Sequence, residues 1–248
     1  MPLALELAAG WVKTLSCREI VDELWQNQAL LVARANNVPD RHRSIQVVFD
    51  HSWRLLTENE RAILQCFVVF QGGCTREAAA QVAGATLPLL AGLVDKSLLR
   101  HAPDTGRYDM HELLRQYAAE YLNQTPEVRE TVLDRHYNYY IEFLHQLKTT
   151  VHLMNQSEVV RDIDNLRMAW KRAIQQRNPA ALERAAPSLY WLYHFQGRQD
   201  EGSAMFFLAE EAERDACHRG QPLPAGDDAV AARFLPSRGT GTGKLSTS

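Results

Sequence analysis

The sequence predicts a mostly α-helical protein in which a winged helix-turn-helix with a small β-hairpin is followed by α-helical repeat hairpins. Three observations predict this fold class. Apolar residues recur at helical spacing along most of the chain, one short segment rich in turn residues has the pattern of a hairpin, and the helices after it come in pairs. With 248 residues, of which 46% are hydrophobic and 23% charged, the chain is long enough for more than one module.

Residues 1–40 are predicted to form two helices. Apolar residues spaced four apart mark one face of the first helix, namely Leu3, Leu7, Trp11 and Leu15. Ser16 and Glu19 have the spacing of a capping box, so the second helix should start near Cys17. The first helix has no capping residue ahead of it, and we therefore expect this segment to be part of a larger helical unit. A polar stretch around Pro39 separates it from the next module.

Residues 41–124 begin with four predicted helices. The stretch "SIQVVFDHSWRLL" is helical, and Thr57 and Glu60 form a second capping box that opens the helix "ERAILQCFVVF". After a break at the glycine pair 72–73, Thr75 can cap the helix "REAAAQVAG", and the helix "TLPLLAGLVDKSLL" follows.

The same module ends with a hairpin and a further helix. Pro103–Gly106 supplies turn residues between two short extended segments, Leu98–His101 and Arg107–Met110. The helix "HELLRQYAAEYL" follows directly, with His111 in its first turn. Helices, then a hairpin, then a helix is the order of a winged helix-turn-helix.

Residues 125–218 are predicted to be a tetratricopeptide-like helical domain. The stretch "SEVVRDIDNLRMAWKRAIQQ" has apolar residues at the spacing of one continuous helix, and the last two helices join at Gly197. Residues 219–248 change in composition, because proline, glycine, serine and threonine replace large apolar residues. We expect this last segment to be disordered.

Charge and cysteine usage narrow the class of protein. A net charge of −3 gives no overall attraction to nucleic acid or to an anionic membrane, and no apolar run approaches the ~20 residues that a membrane-spanning helix needs. The four cysteines lie far apart, which favours reduced thiols over a disulfide framework or a metal site: Cys17, Cys66, Cys74 and Cys217. These observations predict a cytoplasmic protein without a membrane partner.

No motif in the chain supplies a complete catalytic site. The stretch "GTGTGKLS" lacks the spacing of a phosphate-binding loop, and Leu245 stands where serine or threonine is required. The stretch "MHELLR" begins like the helix of a zinc protease, but Arg115 occupies the position of the second histidine. The histidines show no ligand spacing. The sequence therefore predicts that this chain is not an enzyme and holds no metal.

A winged helix raises the question of DNA binding. The predicted recognition helix and its end carry only three charged residues, Asp95, Lys96 and Arg100. Contacts to phosphates need several lysines or arginines on one face. We expect this mostly apolar helix to be buried against another domain, and we expect no direct DNA binding.

His111 leaves two interpretations open. A helix N-terminus presents free N–H groups and a partial positive charge, so a neutral imidazole there can add a donor for a phosphate or another anionic ligand. A surface histidine, or one that caps the local turn, explains the same position. The residues alone favour the second interpretation.

Several motifs, in order, resemble the NB-ARC domains of signal-transducing ATPases with numerous domains. "MPLALELAA" resembles the Gly-Leu-Pro-Leu-Ala motif of that family. The stretches "RSIQVVFDHSWRLLTENERAILQCFVVFQGGCTREAAAQVAG", "LVDKSLLR" and "YDMHELLRQYAAE" are similar to its winged-helix module, as found in large bacterial transcriptional activators. "DNLRMAWKRAI" and "HFQGRQDEG" resemble the start of its tetratricopeptide-like array. The resemblance runs from Met1 to about Ala216.

The resemblance implies roles for two residues. Pro2 matches the proline that lies near the adenine of the bound nucleotide in that family. Met110 and His111 match the Met-His-Asp motif, whose histidine contacts the β-phosphate of ADP, and Glu112 stands at the acidic third position. By resemblance, residues 1–40 belong to the helical subdomain that follows the nucleotide-binding sheet.

The chain also departs from the family pattern. The phosphate-binding loop and the Mg²⁺-positioning aspartates would lie before residue 1, and Met1 stands in place of the Gly-Leu that precedes the motif proline. We therefore expect no ATP hydrolysis by this chain alone, and ADP or ATP only in the context of a full-length protein. The implied partners are a preceding nucleotide-binding domain and an inducer or protein partner on the helical repeats.

The predicted function is that of the regulatory part of an ATP-dependent signalling switch or transcriptional regulator. Two alternatives stay open. An interaction scaffold would bind a protein partner through residues 125–218 alone, and a stand-alone DNA-binding regulator would bind DNA in a salt-dependent way through residues 41–124.

Overall fold

Helix is the dominant element of the computed structural model, as predicted, with 78% helix and 5% strand among the residues that it describes. The chain divides into two compact units, residues 1–139 and 140–248. The residues that the structure describes are 2–13, 15–22, 48–147 and 157–218. Four predictions lie wholly or partly outside these residues: the second helix beyond residue 22, the boundary around Pro39, the part of the third helix before Val48, and the disorder of residues 219–248.

The first unit opens with helix α1, Pro2–Gly10, which continues into a 3₁₀ turn, Trp11–Lys13. Three of the four residues predicted for its apolar face are buried: Leu3, Leu7 and Trp11. The indole N–H of Trp11 donates to the hydroxyl of Ser52 at 3.0 Å. This bond ties the first segment to helix α3, residues 48–54.

Both predicted capping boxes are present. The Glu19 carboxylate accepts the N–H of Ser16 at 2.7 Å, and the Ser16 hydroxyl accepts the N–H of Glu19 at 3.3 Å. Helix α2, residues 17–22, begins there. In the second box the Glu60 carboxylate accepts the N–H of Thr57 at 2.9 Å, the Thr57 hydroxyl accepts the N–H of Glu60 at 3.3 Å, and helix α4, Glu58–Cys66, begins there.

A small antiparallel sheet gives the first unit its winged-helix topology. The strands are β1, Cys74–Thr75, β2, Arg100–Ala102, and β3, Arg107–Asp109, and β3 lies in the middle of the sheet. Strands β2 and β3 form the predicted hairpin, with His101 opposite Tyr108. Strand β1 was not predicted from the sequence, and it pairs Cys74 with Tyr108 on the other edge of β3.

Three helices complete the module: α5, Arg76–Ala83, α6, Leu87–Asp95, and α7, Glu112–Asn123. The order α4, β1, α5, α6, β2, β3 is that of a winged helix-turn-helix. Thr75 caps α5 as predicted, because its hydroxyl accepts the N–H of Ala78 at 3.2 Å. The core of the module is apolar and aromatic, and its fully buried members include Phe49, Leu64, Phe67, Phe70, Leu90, Leu93 and Leu98.

Helix α6 is shorter than predicted. It ends at Asp95 rather than continuing through Leu99, because Ser97 adopts a left-handed conformation with φ of 58°. The N–H groups of Leu98 and Leu99 both donate to the carbonyl of Leu93, at 3.0 and 3.2 Å. The turn brings both leucines into the core, where they are buried.

The second unit is built from helices alone in the part of the chain that the structure describes. Helix α8, Pro126–Leu147, contains the division between the units. The single helix predicted over residues 157–176 is instead two helices, α9, Ser157–Arg161, and α10, Ile163–Gln175. The break lies at buried Asp162, whose carboxylate accepts hydrogen bonds from Tyr140 at 3.2 Å and from Asn165 at 2.9 Å.

Helices α10, α11 and α12 pack against one another. Helix α11 is Pro179–Phe195 and α12 is Gln199–His218, and they join at Gly197 as predicted, with φ of 66°. The Trp170 indole on α10 donates to the carbonyl of Met205 on α12 at 2.9 Å. Trp170 is fully buried, so this bond fixes α10 against α12 inside the core of the unit.

No single helix within the described ranges is long and apolar enough to cross a membrane. Helices α5 and α6 meet the criterion only when they are taken together, and they are bent by 105° at the break between them.

Candidate functional site

The turn between β3 and α7 carries the candidate residue His111. His111 is the N-cap residue of α7, with φ of −59° and ψ of 138°. Its ring nitrogen Nδ1 accepts a hydrogen bond from the backbone N–H of Leu113 at 3.2 Å. The side chain is half-buried. The local capping role that the sequence left open is therefore present in the structure.

This cap also decides which ring nitrogen carries the proton. A neutral imidazole has one donor nitrogen and one acceptor nitrogen. Because Nδ1 accepts the Leu113 N–H, the proton of the neutral ring is on Nε2. Nε2 has no hydrogen-bond partner among the residues that the structure describes, so it is a free donor at the positive end of a helix. The arrangement can bind an anion.

Arg115 holds this turn in place. Its guanidinium is buried and donates to Met110 O at 3.3 Å, which fixes the residue before His111. Nη1 of the same guanidinium donates to the carbonyls of Phe67, Val68 and Phe70. One side chain therefore connects the turn after β3 with the segment that follows α4.

Arg115 also balances the negative charge beside His111. The carboxylates of Asp109 and Glu112 lie 3.4 and 3.2 Å from its guanidinium nitrogens. Without this cation, two carboxylates would flank His111 and oppose the binding of a phosphate. Sequence reasoning did not assign Arg115 a role. The available signal was an arginine one helical turn after His111, on the same face as buried Ala118 and Leu122.

The structure places Pro2 at the first position of α1. Pro2 and His111 therefore belong to the same compact unit but to different elements, 109 residues apart in the chain. The roles that the resemblance implies for them, contact with adenine and with a β-phosphate, both require a nucleotide that another domain holds.

The surface of α6 is poor in positive charge. Lys96, at its C-terminal cap, forms an ion pair with Glu60 at 2.6 Å. Arg100, on β2, lies 3.2 Å from the carboxylate of Glu6 on α1. The exposed residues of α6 are Leu87, Pro88, Ala91 and Asp95. This face lacks the lysines and arginines with which recognition helices contact phosphates.

The described part of the chain was compared with the requirements of a metal site and of a reactive thiol. No group of three or more histidine, cysteine, aspartate or glutamate side chains there could hold a metal ion. Cys66 and Cys74 are buried, and Cys17 is exposed. Burial raises the pKa of the Cys66 thiol to about 11, with the nearby Arg135 acting in the opposite direction.

Comparison with known proteins gives relatives in mycobacteria. Proteins of Mycobacterium tuberculosis and Mycobacterium bovis named "Putative HTH-type transcriptional regulator" are 31% identical over 226 residues, which covers 86% of this chain and 25% of theirs. A second protein of these organisms, named only as uncharacterized, is 35% identical over 147 residues, or 55% of this chain and 37% of its own length.

The chain thus spans about a quarter of the length of the regulators that it matches. No family model matches the chain, and no solved structure matches it.

Proposed function

We propose that this chain is the regulatory part of a nucleotide-controlled transcriptional regulator. In this proposal the winged helix contacts a nucleoside diphosphate that is bound by a preceding domain, and the helical unit responds to an inducer or a protein partner. The chain itself carries out no catalysis, and ADP or ATP binds only when the nucleotide-binding domain is present.

The observation that carries the proposal is the hydrogen bonding of His111. The Leu113 N–H occupies Nδ1, and the Nε2 proton is left for an anion at the N-terminus of α7. Arg115 pairs with the carboxylates of Asp109 and Glu112, which lie two residues before and one residue after His111 in the chain. These contacts support the role that the resemblance to NB-ARC domains implies for His111, contact with the β-phosphate of ADP.

The relatives support the output side of the proposal. Their name describes transcriptional regulators of the HTH type, and they are about four times as long as the segment that this chain matches. Such a length leaves room for a nucleotide-binding domain and for an output domain. Transcriptional regulation is therefore the coarse function that we propose for the protein to which this regulatory part belongs.

The proposed mechanism is a two-state switch. In the resting state, His111 contacts the diphosphate and holds the winged helix against the nucleotide-binding domain. Inducer binding to the helical unit favours a state in which this contact is lost, and the equilibrium shifts by the difference in inducer affinity between the two states.

A chimera tests the proposal. Residues 2–218 of this chain would replace the matching segment of the mycobacterial regulator, and the chimera would be compared with its His111→Ala variant. We expect the variant to release ADP at least about tenfold faster, because it loses a charge-assisted hydrogen bond to phosphate. Basal transcription should rise. The dissociation of radiolabelled ADP and a reporter gene measure the two effects.

His101→Ala is the matched control. His101 is an exposed histidine of β2 whose ring packs near Tyr108, and its removal should leave ADP dissociation unchanged. Equal ADP dissociation in the chimera and its His111→Ala variant would contradict the proposal. A chimera that binds no nucleotide would contradict it as well.

DNA binding by the winged helix is the second candidate, and the fold topology together with the name of the relatives favours it. The ion pairs of Lys96 and Arg100 and the apolar surface of α6 argue against it. A titration of the full chain with duplex DNA at low salt decides between the two. Binding that weakens steeply as salt increases would support this candidate, and no binding would remove it.

A further inference from the structure

Helices α11 and α12 enclose a cleft of about 370 Å³. Its floor is formed by Tyr193 of α11 and by Gly202 and Phe206 of α12, all of which are buried. Pockets that hold drug-sized ligands have volumes of about 300–1,000 Å³. The cleft therefore lies at the small end of the range for a ligand site.

Gly202 determines how closely the two helices approach at the floor. A Cβ atom at this position would lie 2.9 Å from Cβ and 3.1 Å from Cγ of Tyr193. Any larger residue would push the Tyr193 ring out of its place. The glycine thus allows an aromatic ring to form the base of the cleft.

The rim of the cleft supplies hydrogen-bonding side chains from both helices. Tyr190 and His194 lie on α11, and Gln199 and Ser203 lie on α12. The amide nitrogen of Gln199 lies 3.4 Å from Nδ1 of His194. Among the residues that the structure describes, no carboxylate, lysine or arginine lines this cleft, and the nearby carboxylate of Glu201 is paired with Arg167 and Arg198.

Aromatic rings follow one another along α11, and those of Tyr190 and His194 line the cleft. The rings of Tyr190 and His194 are nearly parallel, with an interplanar angle of 16° and centroids 6.0 Å apart. Trp191 and Phe195 form a second such pair at 24° and 5.5 Å, and they are 38% and 42% exposed. Aligned rings of this kind favour offset stacking with another flat ring.

From these features we infer that the cleft between α11 and α12 binds a small, uncharged, planar aromatic molecule. The flat faces come from Tyr190 and Phe206, and the hydrogen bonds that orient the ligand come from Gln199 and Ser203. The ligand is uncharged because no carboxylate, lysine or arginine of the described residues lines the cleft, and the desolvation of a charge would therefore go without such a partner. The inference does not depend on the role proposed for His111.

Binding of neutral heteroaromatic probes to the full chain tests the inference. Indole, quinoline and benzimidazole would be titrated into protein labelled with ¹⁵N at its 13 glycines. We expect at least one probe to bind with a Kd of about 1 mM or lower, as a fragment of this size can. The signals of Gly197 and Gly202 should shift, whereas those of Gly84 and Gly106, which lie in the other unit, should not. An indole carboxylate should bind at least about tenfold more weakly, because no lysine or arginine among the described lining residues can pair with its charge.

Two variants separate binding in the cleft from binding elsewhere. Ser203 is exposed at the rim, so Ser203→Trp should fill the cleft, keep the circular dichroism spectrum of the native protein and abolish the shifts. Phe207→Ala, on the same helix but outside the lining, should leave the Kd unchanged. Titration shifts that persist in folded Ser203→Trp would overturn the inference, as would the absence of shifts with all probes. Binding of a leucine-rich amphipathic peptide but of none of the small probes would also overturn it.

Discussion

The carboxylate of Glu60 lies 2.6 Å from the ammonium nitrogen of Lys96, which comes 36 residues later in the chain. The same carboxylate accepts the N–H of Thr57 at 2.9 Å in the capping box of α4. A Cβ atom at Gly92 would lie 3.1 Å from Glu60, so this glycine lets the carboxylate approach α6. One buried side chain thus joins the start of α4 to the end of α6, and it engages a lysine that could otherwise contact DNA.

The first prediction concerns this ion pair. Glu60→Gln keeps an acceptor for Thr57 but leaves Lys96 without its anion. We expect the free energy of unfolding to fall by about 1–2 kcal/mol, since hydrogen bonds to charged groups contribute more than neutral ones. Urea unfolding followed by circular dichroism measures the change. Glu77→Gln, at an exposed position of α5, is the control and should stay within about 0.5 kcal/mol of the native protein.

The pH dependence of stability provides the second prediction. Burial acts to raise the pKa of Glu60, but hydrogen bonds from Lys96 and Thr57 outweigh it and lower that pKa below its ordinary value of 4.5. A carboxyl whose pKa is lower in the folded state stabilises the fold above its unfolded pKa. This contribution is lost as the pH falls from about 4.5 through the folded pKa.

Acid titration of two proteins measures this effect. The melting temperature of the native protein should fall more steeply below pH 4.5, the ordinary pKa of glutamate, than that of Glu60→Gln. The two curves should converge at the acid end, where Glu60 is protonated. Parallel curves across this range would show that Glu60 does not contribute to the acid sensitivity.

Asp50 should have the opposite effect on stability to Glu60, because the pKa of its carboxyl is raised rather than lowered. Burial raises the pKa of its carboxyl, although a hydrogen bond from Tyr121 and the charge of Arg54 act against this rise. A raised carboxyl pKa favours folding at low pH, and this advantage is lost as the pH rises through the folded pKa. Asp50→Asn removes the charge and keeps an acceptor for the Tyr121 hydroxyl, which lies 3.4 Å away.

At neutral pH we therefore expect Asp50→Asn to raise the free energy of unfolding by up to about 1 kcal/mol. Asp104→Asn, at the exposed turn of the hairpin, is the matched control and should change it little. A clear loss of stability in Asp50→Asn would mean that the ionised carboxylate is favourable in the fold. The measurement is the same urea unfolding experiment.

Local signals explain why much of the fold was predictable. The capping boxes of α2 and α4 involve residues three positions apart, and their sequence pattern alone defines the helix starts. The hairpin was visible for a similar reason, since its turn residues lie between its two strands. Strand β1 was not visible, because it is two residues long and exists through pairing with β3, more than 30 residues later.

Long-range contacts explain the other differences. The break between α9 and α10 depends on Tyr140, 22 residues before Asp162. The apolar spacing within residues 157–176 is that of one continuous helix and does not indicate the break. In α8 the apolar residues Val132, Tyr139, Phe143 and Leu147 recur at helical spacing, which by itself predicts one buried face. The structure buries Val132 and Leu147, only partly covers Tyr139 and Phe143, and buries His136, Tyr137, Tyr140, Ile141 and Leu144 as well. Several faces of this helix are apolar, so its neighbours decide which one is buried.

The candidate site divides in the same way. The position of His111 at a helix N-terminus follows from the sequence, because the polar turn and the apolar helix after it are both local patterns. The choice of Nδ1 as the capping atom follows only from the geometry of the turn. The contribution of Arg115 was not predictable either, since its main acceptors are carbonyls 45 to 48 residues earlier in the chain.

The next prediction compares the stability lost when alanine replaces each of two glycines that have a positive φ. A Cβ atom at Gly73, φ 78°, would lie 2.6 Å from the carbonyl oxygen of Tyr108 on the neighbouring strand. At Gly84, φ 68°, a Cβ atom would meet nothing within 4 Å. Gly84→Ala should cost about 1 kcal/mol from backbone strain alone, and Gly73→Ala about 3 kcal/mol or more, because β1 must also move from β3. If urea unfolding gave the same loss of unfolding free energy for both variants, strand β1 could move away from β3 at no energetic cost.

The last prediction separates the two roles of His111. His111→Ala removes the cap of α7, and we expect the free energy of unfolding of this chain to fall by about 0.5–2 kcal/mol. Aspartate is among the best N-cap residues, so His111→Asp should keep the stability within about 0.5 kcal/mol of the native value. An aspartate cannot donate to a phosphate, however, and its charge repels one.

ADP release from the chimera with the mycobacterial regulator therefore distinguishes the two roles, because the two variants differ in stability. If His111 contacts the diphosphate, both variants release ADP faster, and His111→Asp does so although its fold is intact. If His111 serves only as a cap, His111→Asp restores ADP retention together with stability. Urea unfolding of the chain and ADP dissociation from the chimera thus assign the cap and the phosphate contact by separate readouts. The proposal requires that His111→Asp be stable and defective in ADP retention.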